Sequence, residues 1–322
     1  MDNVTETKKR GVGSLLIGKF GVIIGLVVLC AIFSILSEAF RTPGNLRNIL
    51  IQAGTNSIIA AGMTFVILAA GIDLSVGSIV ALSAVLGASI MKSTGNVLLG
   101  TAVALVVGLF LGLFNGVIVA YLDFPPFIVT LSTMWLYRGS AYVFTNGQAI
   151  VNLPDANMTL ALGRFLSIPY IVWLIIIVYI VCFIVLSRMT FGRKVYAVGD
   201  NAESARLSGI NVRVVKTIVF TISGFLAALG GVILMSRLNS GQPIAGQTFE
   251  MTAIAAAVIG GTSLTKGGVG SIGGTLIGAL FISALMNGLI ILNVSAFWQQ
   301  VVMGIVVLIA IGIDRYRKTL GN

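Results

Sequence analysis

Asp73, in the stretch AAGIDLSVGS, and Glu250, in GQTFEMTA, are carboxylates that adjoin long apolar runs of the chain. An acid near mid-membrane is expensive, so it faces a cavity or a partner, or takes part in proton coupling. Asp73 has two readings: it caps the following helix by accepting hydrogen bonds from its first N–H groups, or it contacts a solute. Other chemistry is scarce. The chain has no histidine, which removes the usual metal ligand, proton shuttle and general base. No metal-ligand cluster or catalytic constellation stands out. The glycine-rich stretch GGTSLTKGGVGSIGG, residues 260–274, resembles a phosphate-binding loop only superficially. Its Lys266 is not followed by Ser or Thr at the required spacing, and no soluble strand precedes it. The chain therefore has no ATPase site of its own, and no cofactor is expected.

These residues must be positioned by membrane segments. Of the 322 residues, 57% are hydrophobic and 9% are charged, and mean hydropathy is +1.06. A water-soluble domain carries about 25% charged residues. The apolar runs are continuous and about 20 residues long, as helices spanning a bilayer require and barrel strands do not. An all-α integral membrane protein is expected. Cys30 and Cys182 fall in separate apolar runs and read as packing residues.

About ten segments are expected, near 20–37, 49–70, 75–91, 97–120, 127–145, 168–187, 215–236, 251–264, 270–292 and 297–313, with the third and eighth short; a six- or eight-span model would merge or externalise some of them. The chain then divides into a cytoplasmic N-terminal segment, 1–19, a transmembrane domain, 20–313, and a cytoplasmic tail, 314–322. With both termini inside, inner loops and tails hold 14 Lys and Arg, including Lys8, Lys9, Arg10, Lys19, Arg317 and Lys318, against 6 elsewhere, among them Arg138. That bias obeys the positive-inside rule, and it explains the net charge of +10 without nucleic-acid binding.

Leu113–Val119, with Asn115, parallels Leu285–Ile291, with Asn287. Asp73 and Glu250 likewise precede short small-residue segments. The match sets segments three and four against eight and nine, which predicts an inverted repeat. Glycines spaced by four, Gly108-Gly112-Gly116 and Gly270-Gly274-Gly278, predict close helix approach. Asp123-Phe124-Pro125-Pro126 predicts a rigid turn between segments four and five.

The long loop 188–214 is rich in basic residues, with Arg188, Arg193, Lys194, Arg206 and Arg213 against Asp200 and Glu203, and Gly192, Gly199 and Gly209 punctuate it. Asn201 is a candidate N-cap for a short helix, AESARLSG, closed by Gly209. A helix of about two turns does not persist alone in water. Its exposure makes sense if a partner holds it apart from the membrane bundle. Arg206 is the residue for docking, or else pairs with Asp200 or Glu203 inside the loop or anchors at lipid headgroups.

Four stretches together resemble the permease subunits of bacterial ABC-type monosaccharide importers, the ribose permease family. They are GMTFVILAAGIDLSVGSIVALS (62–83), YAVGDNAESARLSGINV (196–212), LNSGQPIAG (238–246) and AIAAAVIGGTSLTKGGVGSIGGTLIGAL (253–280). The resemblance implies the ABC importer permease fold in a bacterial inner membrane. It also implies a cytoplasmic ATPase partner, a periplasmic or lipid-anchored sugar-binding protein, a second permease copy and surrounding lipid. By this resemblance Gly199, Asn201, Glu203, Ala205, Arg206, Ser208 and Gly209 belong to the ATPase-coupling helix. Asp73, Ser75 and Gly77 belong to the family's central motif and, with Asn115, Glu250 and Asn287, are candidates for the translocation path or gate. The family often has an acid two residues after the position of Glu250, where this chain has Thr252. The competing expectation is a stand-alone secondary sugar transporter, driven by titration of Asp73 or Glu250.

Overall fold

The computed structural model describes the backbone of residues 12–321 and the side chains of residues 21–315. The expected basic residues Lys8, Lys9 and Arg10 lie outside the described residues, as do the side chains of Lys19, Arg317 and Lys318. The helices are α1 (Val12–Leu36), α2 (Pro43–Leu68), α3 (Val76–Thr94), α4 (Val97–Tyr121), α5 (Pro126–Thr145), α6 (Thr159–Leu162), α7 (Tyr170–Ser187), α8 (Thr190–Asp200), α9 (Ala202–Leu207), α10 (Val212–Leu238), α11 (Phe249–Ile259), α12 (Ile272–Ile291) and α13 (Ala296–Gly321). Between α6 and α7, β1 (Arg164–Phe165) and β2 (Ile168–Pro169) form a small antiparallel ladder.

Polar caps start four of the long helices. Thr42 accepts from the Asn45 N–H ahead of α2, with Pro43 in the first turn. Asn96, Asn211 and Ser271 cap α4, α10 and α12 in the same way.

Seven of the described helices, α2, α3, α4, α7, α10, α12 and α13, are long and apolar enough to cross a bilayer. α11 and the part of α1 from Gly21 are apolar but shorter. α5 has 20 residues, but its hydroxyls and Arg138 dilute its apolar character. The third expected segment is not short. α3 runs for 19 residues, through Lys92, until Gly95 ends it at a φ of 68°. The eighth is short, because α11 has 11 residues.

α2 and α10 form the centre. Within their apolar windows 78% of α2 and 67% of α10 is buried, against 22% of α4 and 11% of α13. α10 packs most extensively on α4 and then on α2; α2 also packs on α12 and α11. Glycine sets these distances. A Cβ at Gly108 would meet Ala228 and the Gly224 carbonyl, one at Gly112 would meet the Phe220 carbonyl and Gly224, and one at Gly116 would meet Thr217. On the other side of the molecule, Gly274 and Gly278 lie against Gly260 and Ala256 of the α11 seam. Gly270 belongs to the preceding turn instead, at a φ of 147°, so the second ladder is one member shorter than its spacing suggested.

Replacing Gly112 by Val should break the α4–α10 seam, because the atoms it would meet are backbone that cannot rotate away. Overpacking of this kind costs about 1–3 kcal/mol or more. The melting temperature of the purified protein in detergent should fall, while Gly304→Ala, where a Cβ meets nothing within 4 Å, should leave it unchanged.

Candidate functional site

Two interruptions of helix lie inside the bundle, and polar side chains close both. The first joins α2 to α3. Ala70 has a φ of 58°, and the Gly71 N–H returns to the Val66 carbonyl at 2.9 Å. Asp73 is fully buried. Its Oδ1 accepts from the Ser75 N–H at 3.0 Å and the Ser75 hydroxyl at 2.6 Å. Its Oδ2 accepts from Ser223 Oγ of α10 at 2.8 Å. Asn115 of α4 donates to Ser75 Oγ at 2.8 Å, and Tyr137 of α5 donates to Asn115 Oδ1 at 3.0 Å. Thr130, also of α5, donates to the Ile72 carbonyl at 3.1 Å. The capping expectation is corrected in detail. Asp73 bonds the N–H of Ser75, the residue before α3, rather than N–H groups within the helix, and its second oxygen bonds Ser223 of α10.

The second interruption joins α10 to α11. Asn239, Gly246 and Thr248 all have positive φ. Arg138 of α5 holds this segment by donating to the carbonyls of Pro243 at 2.7 Å, Ala245 at 2.6 Å and Gly77 at 3.0 Å. Gly77 is where the two breaks touch. A Cβ there would collide with the Gly246 carbonyl and a Glu250 carboxylate oxygen. Asp73, Ser75, Gly77, Asn115 and Glu250 thus fall in one connected region. Asn287 does not join it. It is buried in α12 with its Oδ1 unpartnered, as is the hydroxyl of Ser283 one turn before it. Arg138 was assigned to segment ends by charge counting, which hid its role. The available signal was a lone arginine within an apolar helix, a costly placement that calls for specific acceptors.

The charged loop is a helical hairpin. α9 begins at Asn201, whose side chain accepts from the Ser204 N–H at 2.9 Å. It ends where Gly209 turns to a φ of 81°, and Ser208 Oγ bonds back to the Ser204 carbonyl at 2.9 Å. Arg206 makes a two-pronged pair with Glu203, at 3.0 and 2.6 Å. That bond lowers the Glu203 carboxyl from its ordinary range and raises the guanidinium of Arg206. Both side chains are about two-thirds exposed, and Leu207 beside them is 76% exposed.

Two expectations about this loop fail. α9 is not separate from the bundle: Ala205 is buried among Val195, Val198 and Val215. The preceding stretch is also helical. Gly192 and Gly199 lie inside α8 rather than breaking it. Each is glycine because a Cβ would strike backbone, the Leu186 carbonyl at Gly192 and the Leu68 carbonyl at Gly199.

The profile of the family described as "Branched-chain amino acid transport system / permease component" matches residues 45–311. The chain is 44% identical to the ribose import permease protein RbsC of Haemophilus influenzae, covering 98% of each chain. It is 46% identical to RbsC of Escherichia coli K12, over 92% of this chain and 93% of the relative. It is also 46% identical to RbsC of Bacillus subtilis, over 93% and 94%. No solved structure matches the chain.

The Asp73 cluster makes its own prediction. Asp73→Asn should keep much of the transport activity, since an amide still offers an oxygen and its NH2 can turn to a hydroxyl. Asp73→Leu should unfold the region or abolish transport, because each buried donor left unpaired costs about 1–3 kcal/mol. The measurement is uptake alongside the melting temperature. Loss of transport in both variants with folding intact would show that the charge itself is required.

Proposed function

The chain belongs to the permease-component family whose profile it matches, and on that premise we propose that it is the membrane-spanning subunit of an ATP-driven importer for a monosaccharide, ribose or a close relative. The observation that carries the sugar assignment is identity of 44–46% over nearly the whole chain to permeases named for ribose import. The protein sits as a multi-pass subunit in the bacterial inner membrane. It works as a homodimer, with a cytoplasmic ATPase below and a periplasmic or lipid-anchored sugar-binding protein above. Transport proceeds by alternating access, with sugar passing along a path between the two permeases. Asp73, Ser75, Gly77, Asn115 and Glu250 shape the gate beside that path, and Asn287 faces a separate part of it.

In this arrangement α1, α5 and α11 complete ten membrane segments with both termini cytoplasmic. Packing supports an inverted repeat in which α2, α3, α4 and α5 correspond to α10, α11, α12 and α13. Under that exchange the contact of α10 with α3 becomes that of α2 with α11, and α10 with α4 becomes α2 with α12. The pair α3 and α5 likewise becomes α11 and α13. The central pair, α2 with α10, maps onto itself.

The α8–α9 hairpin is the ATPase dock. It projects an apolar knob, Leu207, beside the Glu203–Arg206 pair. A stand-alone transporter has less support, because Asp73 is held by three neutral donors in a site closed to water.

Two experiments test this reading. A cysteine at the exposed Ser204 should react with an impermeant thiol reagent from the cytoplasmic side only; labelling from outside would invert the topology. Arg206→Glu sets two acids three residues apart on α9 and reverses the docking charge. Co-purification of the ATPase should drop about tenfold, within the range for a charge partner at an interface. Arg206→Lys should fall between, since lysine lacks the planar fork. Full assembly of the Glu variant with normal sugar-stimulated ATP hydrolysis would remove Arg206 from the dock.

A further inference from the structure

The glycine-rich segment after α11 is tied at both ends in a way that neither helix packing nor docking requires. At one end it is fixed to the hairpin. The Gly268 N–H donates to the Leu68 carbonyl at 2.9 Å, and Tyr196 of α8 donates to the Gly270 carbonyl at 3.2 Å. Gly199 and Gly267 are pressed together so closely that a Cβ on either would strike the other's segment. Lys266 also stands 3.8 Å from Asp200, where α8 ends; both are exposed, so this pair adds little.

At the other end the segment is fixed to α13 through one carboxylate. Asp314 Oδ2 accepts from the Leu264 N–H at 3.1 Å and the Thr265 N–H at 3.4 Å, and from the hydroxyls of Ser263 at 3.1 Å and Thr265 at 3.3 Å. The turn is braced internally by the Ser263 N–H on the Val269 carbonyl at 2.9 Å. It continues directly from α11, whose first turn carries Glu250 against Gly77. A cavity of about 440 Å3 lies beside it, lined by Gly25, Val258, Lys266, Val269, Phe281 and Asp314.

We propose that residues 260–271 are the relay that carries movement of the α8–α9 hairpin into α11, and that Asp314 is the positioning residue that keeps the relay stiff. This rests on the importer reading and adds to it the route from dock to gate. The hairpin also packs on α7, α10 and the end of α2, but this turn is where its hydrogen bond reaches the segment that follows α11. α11 is short and begins at the second helix interruption, so a push at Gly268 is delivered to the Glu250–Gly77 contact. The cavity gives the turn room to shift without breaking the α11–α12 seam. Asp314 gathers four donors onto one oxygen, so removing it leaves the turn able to flex while the hairpin keeps its own bonds.

The test is the full complex of permease, ATPase and binding protein in proteoliposomes, with sugar moved per ATP hydrolysed as the readout. Asp314→Ala should keep the ATPase bound and lower that ratio at least about fivefold, the lower edge of usual coupling energies. Asp314→Asn, which still presents an oxygen to the same N–H groups, should restore most of it. Tyr196→Phe, which removes only the hydroxyl bond to Gly270, should lower the ratio in the same direction and decides the matter if the Ala variant does not fold. An unchanged ratio in a fully assembled variant would overturn the relay. So would loss of the bound ATPase, which would place the turn in the docking surface instead. A wild-type complex with no ATP-driven uptake would overturn the importer reading itself, and this proposal with it.

Discussion

Backbone N–H and C=O groups that leave a helix inside a bilayer find no water, and each must be paired within the protein. The architecture around α2 and α10 follows from that constraint. The two central helices each hand over to a non-helical segment before the next helix begins, and each handover is closed by side chains from other helices. Asp73, Ser75, Asn115, Tyr137 and Ser223 close the first, and Arg138 closes the second. α5 contributes to both, through Thr130 and Tyr137 at one break and Arg138 at the other. That is a physical reason for its polar composition, which a helix facing only lipid would not tolerate.

Close backbone approach is the second consequence. The breaks can be reached by short side chains such as Ser75 and Asn115 only if the helices bearing them lie close together. The glycine face of α4 permits this at the first break, while the second is spanned by the long side chain of Arg138.

Much of this was legible in the sequence, and the failures have a common cause. Apolar run length located the long helices, and the Asn201 cap with the Gly209 stop located α9, because those signals act locally. Gly192 and Gly199 misled because glycine ends helices in water but also permits tertiary contact, and only the Leu186 and Leu68 carbonyls distinguish the two uses. Arg138 was hidden by a rule that counts charge by loop rather than by partner. The proposed repeat pairs Asn115 with Asn287, yet their environments diverge. The first is fully bonded, while the oxygen of the second has no partner. A sequence match preserves a residue's position in a helix and says nothing about which neighbours the other half retains.

The way polar groups are used also bears on how sugar is handled. Asp73, which the sequence offers as a cap or a solute contact, and Arg138, which charge counting places at a segment end, are committed to Ser75, Ser223 and three backbone carbonyls. On the proposed path, a neutral, hydroxyl-rich solute would find few free donors or acceptors on these two residues. For a translocation path this has a physical advantage, because a site that binds tightly slows release into the cell, and passage requires binding weak enough to leave. In the proposed importer, high affinity and discrimination between sugars fall to the binding protein that captures the solute outside. Within the permease, Asp73 and Arg138 satisfy the polar groups of the two helix breaks.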